Sequence, residues 1–422
     1  MYGVGASLPC RYLSYSYCTW VAIVILASGG AGWGQDRAQM VSGPHPLITK
    51  AVDDSELTTL KGNTHHLARK EFDLGTAPAT LPMQRMLLVL KRSPEQQMAL
   101  RKLLDDQQDK HSPNYHKWLK PEEFGQKFGP NDTDMQTITG WLQAHGFQVG
   151  TTKGRTVLEF SGSASQVREA FHTAIHKYIV NGEQHWANAS DPQIPAALVP
   201  AVAGVATLHN FVSRPQSHLK EERVLARVVP GAHPEITFTQ NGQQTHALAP
   251  QDYAVIYNIR SPAYNPWTGN AVTIGVVGRN DLYNNGQDVQ NFLNNLGTGM
   301  SSYGNPLLNI MVNGPDPGNA GGGEEAEATL DATWSSAIAP NATVDFVVSG
   351  TTNNTDGVDL SELYIVENNL TDIMTESFGS CEYFATDTKL QEIRSLAEQA
   401  AAQGITYFVS SGDNGAEGCD DP

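Results

Sequence analysis

Ala271-Val272-Thr273-Ile274-Gly275-Val276-Val277 is an almost continuous apolar run, the pattern of a parallel strand that is buried on both faces. Comparable runs return at 343–348, 372–376 and 405–409, and stretches with helical periodicity separate them. Strands that alternate with helices predict a doubly wound, mostly parallel sheet. Ligands bind such sheets at the carboxyl ends of the strands, so the residues that follow each run are candidates for a functional site.

The first half of the chain has a different pattern. Strand-like runs at 86–90 and 156–160 alternate with helices that begin at the capping boxes Ser93-Pro94-Glu95-Gln96 and Ser163-Ala164-Ser165-Gln166. A hairpin with an Asn-Gly turn follows at 175–187. This order predicts an α+β domain in which helices back an antiparallel sheet.

The two halves also differ in charge. The formal net charge of −17 argues against nucleic acids and anionic membrane surfaces as partners. From Leu248 onward there are 4 Lys and Arg against 23 Asp and Glu, and all 13 histidines precede Leu248. A general base in the second half would therefore be a carboxylate. With ordinary pKa values of about 4, carboxylates act best as acid–base pairs in acid.

The N-terminal residues 1–34 have the composition of a secretory signal. Arg11 precedes the apolar run at 20–27, and small residues follow. A membrane anchor is the alternative, although the run is short for a membrane span. We expect a secreted, extracellular protein with no membrane association once the signal is removed.

Cysteine usage fits an exported protein. Removal of the signal would take Cys10 and Cys18 with it and leave Cys381 and Cys419. Two cysteines in an exported protein usually pair, so we expect a disulfide between them. Two free buried thiols are the alternative.

Three motifs follow the predicted strands or begin the predicted helices. Glu327 and Asp331 lie one helical turn apart after the glycine run Gly321-Gly322-Gly323, so their Cβ atoms would be roughly 5–6 Å apart. Two carboxyls that close tend to share a proton, which raises one apparent pKa and leaves the other group as a base. A solvated acidic helix start is the alternative. Ser377-Phe378-Gly379 and Ser410-Ser411-Gly412-Asp413 each follow a strand, and an ordinary turn aspartate is the alternative for Asp413.

Further motifs occur at intervals in the first half: His111-Ser112-Pro113-Asn114-Tyr115-His116-Lys117-Trp118-Leu119, Trp141-Leu142-Gln143-Ala144-His145-Gly146-Phe147 and Val167-Arg168-Glu169-Ala170-Phe171. Residues 81–211 thereby resemble the activation prodomain of the sedolisin/kumamolisin family of serine-carboxyl peptidases. The resemblance implies a ferredoxin-like α+β prodomain that assists folding. It also implies that the prodomain binds the catalytic domain in cis and blocks the active site until it is removed.

The motifs of the second half resemble the N-terminal part of that family's subtilisin-like catalytic domain. The resemblance implies that Glu327 is the general base for a serine nucleophile and that Asp331 is the second carboxyl, hydrogen-bonded to it. It implies Asp413 as the oxyanion-hole acid, and Ser377, Phe378 and Gly379 as the strand that pairs with the substrate backbone. An aspartate can stabilise an oxyanion only while it is protonated. The predicted function is therefore an acid-active serine-type endopeptidase acting on proteins or peptides.

The family's nucleophile lies in a downstream Gly-Thr-Ser motif, and its calcium site is also near the C-terminus. Neither occurs before Pro422, so we expect this chain to be an inactive precursor fragment, with calcium bound by residues beyond 422. The expected organisation is a signal peptide (1–34), a leader (35–80), the activation prodomain (81–212), a linker with the maturation cleavage (213–247) and the N-terminal part of the peptidase domain (248–422).

Other functions fit less of the sequence. A subtilisin-like hydrolase would need a histidine where Glu327 lies, and no histidine follows His246. A carboxylate-pair glycosidase would leave Asp413 and the prodomain motifs unexplained. A non-catalytic secreted inhibitor or chaperone from a truncated gene is the main alternative, and the sequence downstream of Pro422 would decide between it and the peptidase.

The charge difference between the halves also predicts pH-triggered release of the prodomain. In acid, carboxylates of the second half lose charge while prodomain histidines gain it, which weakens the attraction between the halves. The histidines expected to contribute are His111, His116, His172 and His176.

Overall fold

The computed structural model describes residues 44–215, 236–240, 242–259, 269–295 and 307–413. The described residues from 44 onward form one compact unit. The predicted signal peptide and Cys419 lie outside the described residues. Among the helices that the structure describes, none combines the length and apolar character needed to cross a membrane.

The first half is an α+β domain. Its strands are β1 (Leu57–Thr59), β2 (Asp73–Thr76), β3 (Pro82–Leu90), β4 (Gln148–Val149), β5 (Val157–Ser163), β6 (Ile175–Val180), β7 (Glu183–Asn188), β8 (Gln193–Pro195) and β9 (Val202–Val205). Its helices are α1 (Pro94–Gln108), α2 (Pro121–Phe128), α3 (Asp132–Ala144) and α4 (Ala164–Phe171). The main sheet is antiparallel, in the order β4-β5-β3-β9, with helices after β3 and β5. That is the ferredoxin-like arrangement, so the predicted fold class of this half is confirmed.

Local sequence accounts for the helix starts in this domain. Ser93 and Gln96 exchange side-chain and backbone hydrogen bonds at the start of α1, and Ser163 and Gln166 do the same at α4. Both capping boxes were predicted from the sequence. The N-cap of α3 is Asn131, whose side chain accepts a hydrogen bond from the Asp134 backbone N–H.

Residues 44–80 are more ordered than their weak sequence pattern indicates. β1 pairs with β8, β2 pairs with β6, and Ile48, Leu60 and Ala77 belong to the main core of the domain. The buried Asp134 carboxylate also accepts backbone hydrogen bonds from Leu47 and Ile48 at 2.8–3.1 Å. These strands have three or four residues, too few for a periodic pattern, and partners distant in sequence hold them.

The second half contains a parallel sheet. Its strands are β10 (Arg214–Pro215), β11 (Ile236–Gln240), β12 (Gln243–Ala247), β13 (Thr273–Gly278), β14 (Leu307–Val312), β15 (Thr343–Val348), β16 (Ile373–Glu376), β17 (Phe378–Gly379) and β18 (Thr406–Val409). Its helices are α5 (Pro250–Ile256), α6 (Gln287–Asn295), α7 (Gly322–Ile338), α8 (Gly357–Asn368) and α9 (Asp387–Gln403). The sheet order is β14-β15-β13-β16-β18, with all pairs parallel. The prediction of a mostly parallel α/β sheet is confirmed.

Two features of this half differ from the sequence-based prediction. β14 forms one edge of the parallel sheet and is only partly buried, and its apolar run Leu307–Val312 was not identified as a strand from the sequence. The antiparallel hairpin β11–β12 lies within the predicted linker 213–247. The sequence signal for this hairpin was the pair Asn241-Gly242, which is typical of a hairpin turn. The polar residues around the pair gave the segment the composition of a linker.

Helix α9 is the main contact between the two halves. Arg92 pairs with Glu398 at 2.9 Å, and the Thr156 hydroxyl donates to Gln399 Oε1 at 2.9 Å. Leu87 and Val157, from the antiparallel sheet, share a hydrophobic cluster with residues of α8 and α9. This interface fixes the position of the first half relative to the parallel sheet.

Candidate active site

The predicted acid pair lies on α7. The N-cap residue Gly321 has a φ of +73°, a left-handed conformation that glycine adopts without strain. Glu327 is buried, at 2% exposure, and Asp331 follows one turn later, partly buried. The neighbouring Ala328 and Ala332 pack into the core against the sheet, which fixes the orientation of this helix face.

Asp331 has a perturbed acidity. Burial raises its pKa to about 7, a hydrogen bond from Ser377 opposes that shift, and the negative charges of Glu327 and Glu376 add to it. Its Oδ2 atom is buried without a hydrogen-bond partner among the residues that the structure describes. A buried carboxylate oxygen without a donor is unfavourable, whereas the protonated form avoids the charge. Asp331 is therefore an acid that keeps its proton at mildly acidic pH.

Ser377 connects this acid to the sheet. It follows β16 directly, and its hydroxyl donates to Asp331 Oδ1 at 2.8 Å. The sequence predicted only a main-chain role for Ser377, in a strand that pairs with substrate. Its side-chain contact was not foreseen, because Ser377 and Asp331 are 46 residues apart.

Asp413 follows β18 at the same edge of the sheet. β18 runs parallel to β16, and the Ser410 N–H donates to the Glu376 carbonyl at 2.9 Å. Asp413 is exposed, three residues after Ser410. The strand register thus brings its segment towards the residues before Ser377, and its oxyanion role stays a prediction.

The segment that follows the first half pairs with β17, the strand directly after Ser377. β10 pairs antiparallel with β17, with Arg214 opposite Gly379 and Pro215 opposite Phe378. β10 also lies against α7, the helix of the acid pair. The residues that follow the antiparallel domain therefore lie along the strand predicted to bind substrate.

Arg279 anchors several of these segments. It follows β13, its side chain is 8% exposed, and it forms a bidentate ion pair with Glu324 of α7 at 2.6 and 2.9 Å. It also pairs with Asp356, the N-cap of α8, at 3.0 Å. Burial alone would lower the pKa of Arg279, but its bonds and charge interactions with Glu324 and Asp356 outweigh burial and raise it.

A second, partly buried cation lies in an acidic cluster near the site. Lys389 Nζ is 2.7 Å from Asp359 Oδ1 and 2.8 Å from Glu392 Oε2. Burial raises the pKa of Asp359 to about 7, and it also raises the pKa of Glu362 and of Glu376. Glu376 immediately precedes Ser377, and the Tyr407 hydroxyl donates to both Glu362 and Glu376.

Neither cation cluster was identified from the sequence, yet a signal was present. Arg279 and Lys389 are two of only four Lys and Arg residues after Leu248. Where cations are that scarce, each is a candidate for a buried carboxylate partner. Cys381 is disulfide-bonded, and its pairing with Cys419 stays a prediction because Cys419 lies outside the described residues.

Comparisons with known proteins identify proteins that are similar to this chain. Residues 72–211 match the family model of the pro-kumamolisin activation domain. Sedolisin from Pseudomonas sp. (strain 101) is 27% identical over 310 residues, which cover 72% of this chain and 50% of that protein. Xanthomonalisin from Xanthomonas sp. (strain T-22) is 26% identical over 318 residues, covering 71% of this chain and 36% of that protein. The chain is therefore similar to sedolisin and xanthomonalisin over about 70% of its length.

Tripeptidyl-peptidase 1 is similar to this chain as well. Human tripeptidyl-peptidase 1 (Homo sapiens) is 25% identical over 332 residues, covering 76% of this chain and 54% of that protein. The chain thus spans about half the length, or less, of these relatives. A solved structure of Pseudomonas sedolisin, complexed with two molecules of pseudo-iodotyrostatin, aligns at 22% identity and a TM-score of 0.33, covering 40% of this chain and 46% of that chain. That likeness is too low to support an argument.

The sedolisin resemblance also implies calcium. In the part of the chain that the structure describes, no group of three or more His, Cys, Asp or Glu side chains is arranged to hold a metal ion. No chemical step below depends on calcium.

Proposed function

We propose that this chain is the prodomain and the first part of the catalytic domain of a secreted, acid-active serine-carboxyl endopeptidase. The observation that carries the proposal is the position of β10. The residues that directly follow the prodomain pair with β17, beside the Ser377–Asp331 hydrogen bond. A prodomain that blocks a peptidase is expected to lie along its substrate-binding strand in this way.

In the proposed mechanism, Glu327 is the general base. It takes the proton from a serine hydroxyl as that oxygen attacks the scissile carbonyl, and it later gives the proton to the leaving amine. Burial raises the pKa of Asp331 to about 7, and its Oδ2 atom has no hydrogen-bond partner among the described residues. In the proposed mechanism this oxygen carries a proton, which it donates to Glu327 and thereby orients that carboxylate. Ser377 fixes the Asp331 carboxyl from its other oxygen. Asp413, when protonated, donates to the oxyanion.

The nucleophile is proposed to come from the downstream Gly-Thr-Ser motif of the family. The experiment therefore uses a reading frame extended through that motif. Purified at pH 7 and shifted to pH 4, the extended protein should release its prodomain and then cleave an internally quenched peptide. Glu327→Gln should lower kcat by about 10²–10⁴-fold, because it removes the general base.

Asp316→Asn is the matched control, since Asp316 is an exposed acid whose loss should leave kcat unchanged. Full activity of the Glu327→Gln protein would contradict the proposal. So would a reading frame that stops without a Gly-Thr-Ser motif, which would favour a non-catalytic secreted inhibitor.

A further inference from the structure

The end of the prodomain is held by side chains as well as by strand pairing. The Ser213 N–H donates to Asp356 Oδ2 at 2.9 Å, and its hydroxyl donates to the same oxygen at 2.5 Å. Arg279 Nη1 donates to the Ser213 carbonyl oxygen at 2.8 Å. Both main-chain polar groups of one residue are therefore bound by one ion pair, immediately before β10.

The ion pair does not depend on Ser213 for its own position. Arg279 is fixed by its bidentate bonds to Glu324, and its guanidinium carbon lies 4.9 Å from the centre of the buried Phe378 ring. Asp356 is fixed by Arg279 and by the Val358 N–H, which donates to Asp356 Oδ1 at 3.1 Å. Its Oδ2 atom accepts both Ser213 bonds. The groups that bind Ser213 are thus pre-organised by contacts within the catalytic half.

The contacts to Ser213 are suited to any peptide in an extended conformation. Two of the three involve the N–H and C=O groups that almost every residue carries, and only the hydroxyl contact depends on the side chain. Because the neighbouring residues pair with β17, a peptide on that strand would bring its own backbone to Arg279 and Asp356.

We infer that Arg279 and Asp356 form a substrate subsite, which binds the main chain of the residue one position N-terminal to the pair on β17 and favours serine or threonine there. Ser213 occupies this subsite in the precursor. The inference rests on the proposed function insofar as β17 binds substrate. Arg279 and Asp356 act as positioning and specificity residues, without contact to the reacting atoms.

The test measures peptide binding without bond cleavage. A chain carrying Ser213→Pro loses both donors to Asp356, which should free the subsite from the prodomain. The probe is a fluorescein-labelled peptide, Phe-Val-Ser-Arg-Pro-Gln, copied from residues 211–216. By fluorescence anisotropy it should bind the Ser213→Pro chain at least roughly tenfold more tightly than it binds the unmodified chain, because a hydrogen bond to a charged group is worth that much.

Two altered peptides probe the same contacts from the ligand side. N-methylation of the serine should weaken binding roughly tenfold, and replacement of the serine by alanine should weaken it about three- to tenfold. No binding by the Ser213→Pro chain, or equal affinity for all three peptides, would overturn the inference. These readouts need no variant at Asp356, so they do not depend on whether such a variant folds.

Asp356→Asn tests the protein side. Asparagine also caps helices well, but its amide nitrogen would replace the acceptor Oδ2 and oppose the two donors of the peptide serine. In the Ser213→Pro background it should abolish the preference for the serine peptide, whereas Asp372→Asn, the same change at an exposed aspartate before β16, should retain it. A preference that survives Asp356→Asn would refute the subsite. If Glu327→Gln cleaved the quenched peptide as fast as the unmodified protein, the proposed peptidase would be refuted instead, and these peptide affinities would be unchanged.

Discussion

Asp331 links acidity to the stability of the catalytic half. Its pKa is about 7 in the folded protein against an ordinary value of 3.8. The folded state therefore binds an extra proton between these values. The resulting stabilisation is complete below about pH 4 and is lost as the pH rises to about 7.

We predict that Asp331→Asn flattens this dependence. One linked proton changes the free energy of unfolding by up to about 1.4 kcal/mol per pH unit. Urea unfolding at pH 4, 5, 6 and 7 should show that slope reduced in Asp331→Asn and unchanged in Asp316→Asn, the exposed control. Identical slopes in the Asp331→Asn and unmodified chains would show that Asp331 is ionised throughout.

Ser377 also affects the pKa of Asp331. Its hydrogen bond lowers the pKa of Asp331, so Ser377→Ala should raise that pKa further and destabilise the fold by about 1 kcal/mol. The raised pKa is measurable by NMR titration of the Asp331 carboxyl carbon. Ser380→Ala, at an exposed serine three residues later, should change neither quantity. A lower Asp331 pKa in Ser377→Ala would contradict the role assigned to this bond.

At the scale of secondary-structure elements, Arg279 connects the end of β13 to the starts of α7 and α8. It follows β13 and binds acids at the starts of α7 and α8. Removal of one partner leaves buried charges uncompensated, which typically costs about 3–5 kcal/mol. Arg279→Met should therefore lower the free energy of unfolding by about that amount.

Arg394→Met is the matched control for this prediction. Arg394 pairs with Glu398 on the surface of α9 and its side chain is 59% exposed, so its loss should cost less than about 1 kcal/mol. Urea denaturation at pH 6 would compare the two variants. Equal stability of the two would show that the Arg279 pairs contribute nothing net.

At the scale of the whole molecule, the two halves have opposite pH dependence. Buried carboxyls with raised pKa values, such as Asp331 and Asp359, make the catalytic half more stable in acid. Histidines at the interface act in the other direction. Burial lowers the pKa of His65 to about 2 and that of His209 to about 4, and the positive charge of Lys389 adds to the effect at His209. In the free prodomain these histidines would bind protons below their ordinary pKa of 6.5, whereas in the docked prodomain they stay neutral. Docking therefore weakens as the pH falls below about 6.5.

These are not the histidines that the sequence suggested. His65 lies 4.6 Å from His209 between ring centres, and His66 stacks on Tyr383 of the catalytic half at 5.2 Å. Both ring nitrogens of His209 are buried and lack hydrogen-bond partners among the described residues. His111, by contrast, has a side chain that is 95% exposed. Burial, which sequence does not reveal, decides which histidine resists protonation.

We predict that His209→Phe keeps the prodomain docked at lower pH. Phenylalanine preserves an aromatic ring beside His65 but cannot be protonated. Hydrogen exchange of β10 and α9 would be measured by mass spectrometry from pH 7 to pH 4. In His209→Phe, protection of these elements should persist to a pH lower by about one unit or more than in the unmodified chain. His111→Phe is the control and should release as the unmodified chain does. Release at a lower pH in His111→Phe alone would favour the histidines predicted from the sequence.

The sequence by itself determined the fold class of both halves, most of the strands and helices apart from β14 and the β11–β12 hairpin, and the candidate acids Glu327, Asp331 and Asp413. These depend on local periodicity, capping residues and residue type, which a linear sequence displays. Only the tertiary structure decided that Ser377 binds Asp331, that Arg279 and Asp356 bind Ser213, and that β10 pairs with β17. Those contacts join residues 46 to 165 positions apart, and their strength comes from burial and geometry. Both are properties of the packed molecule, so no sequence pattern carried them.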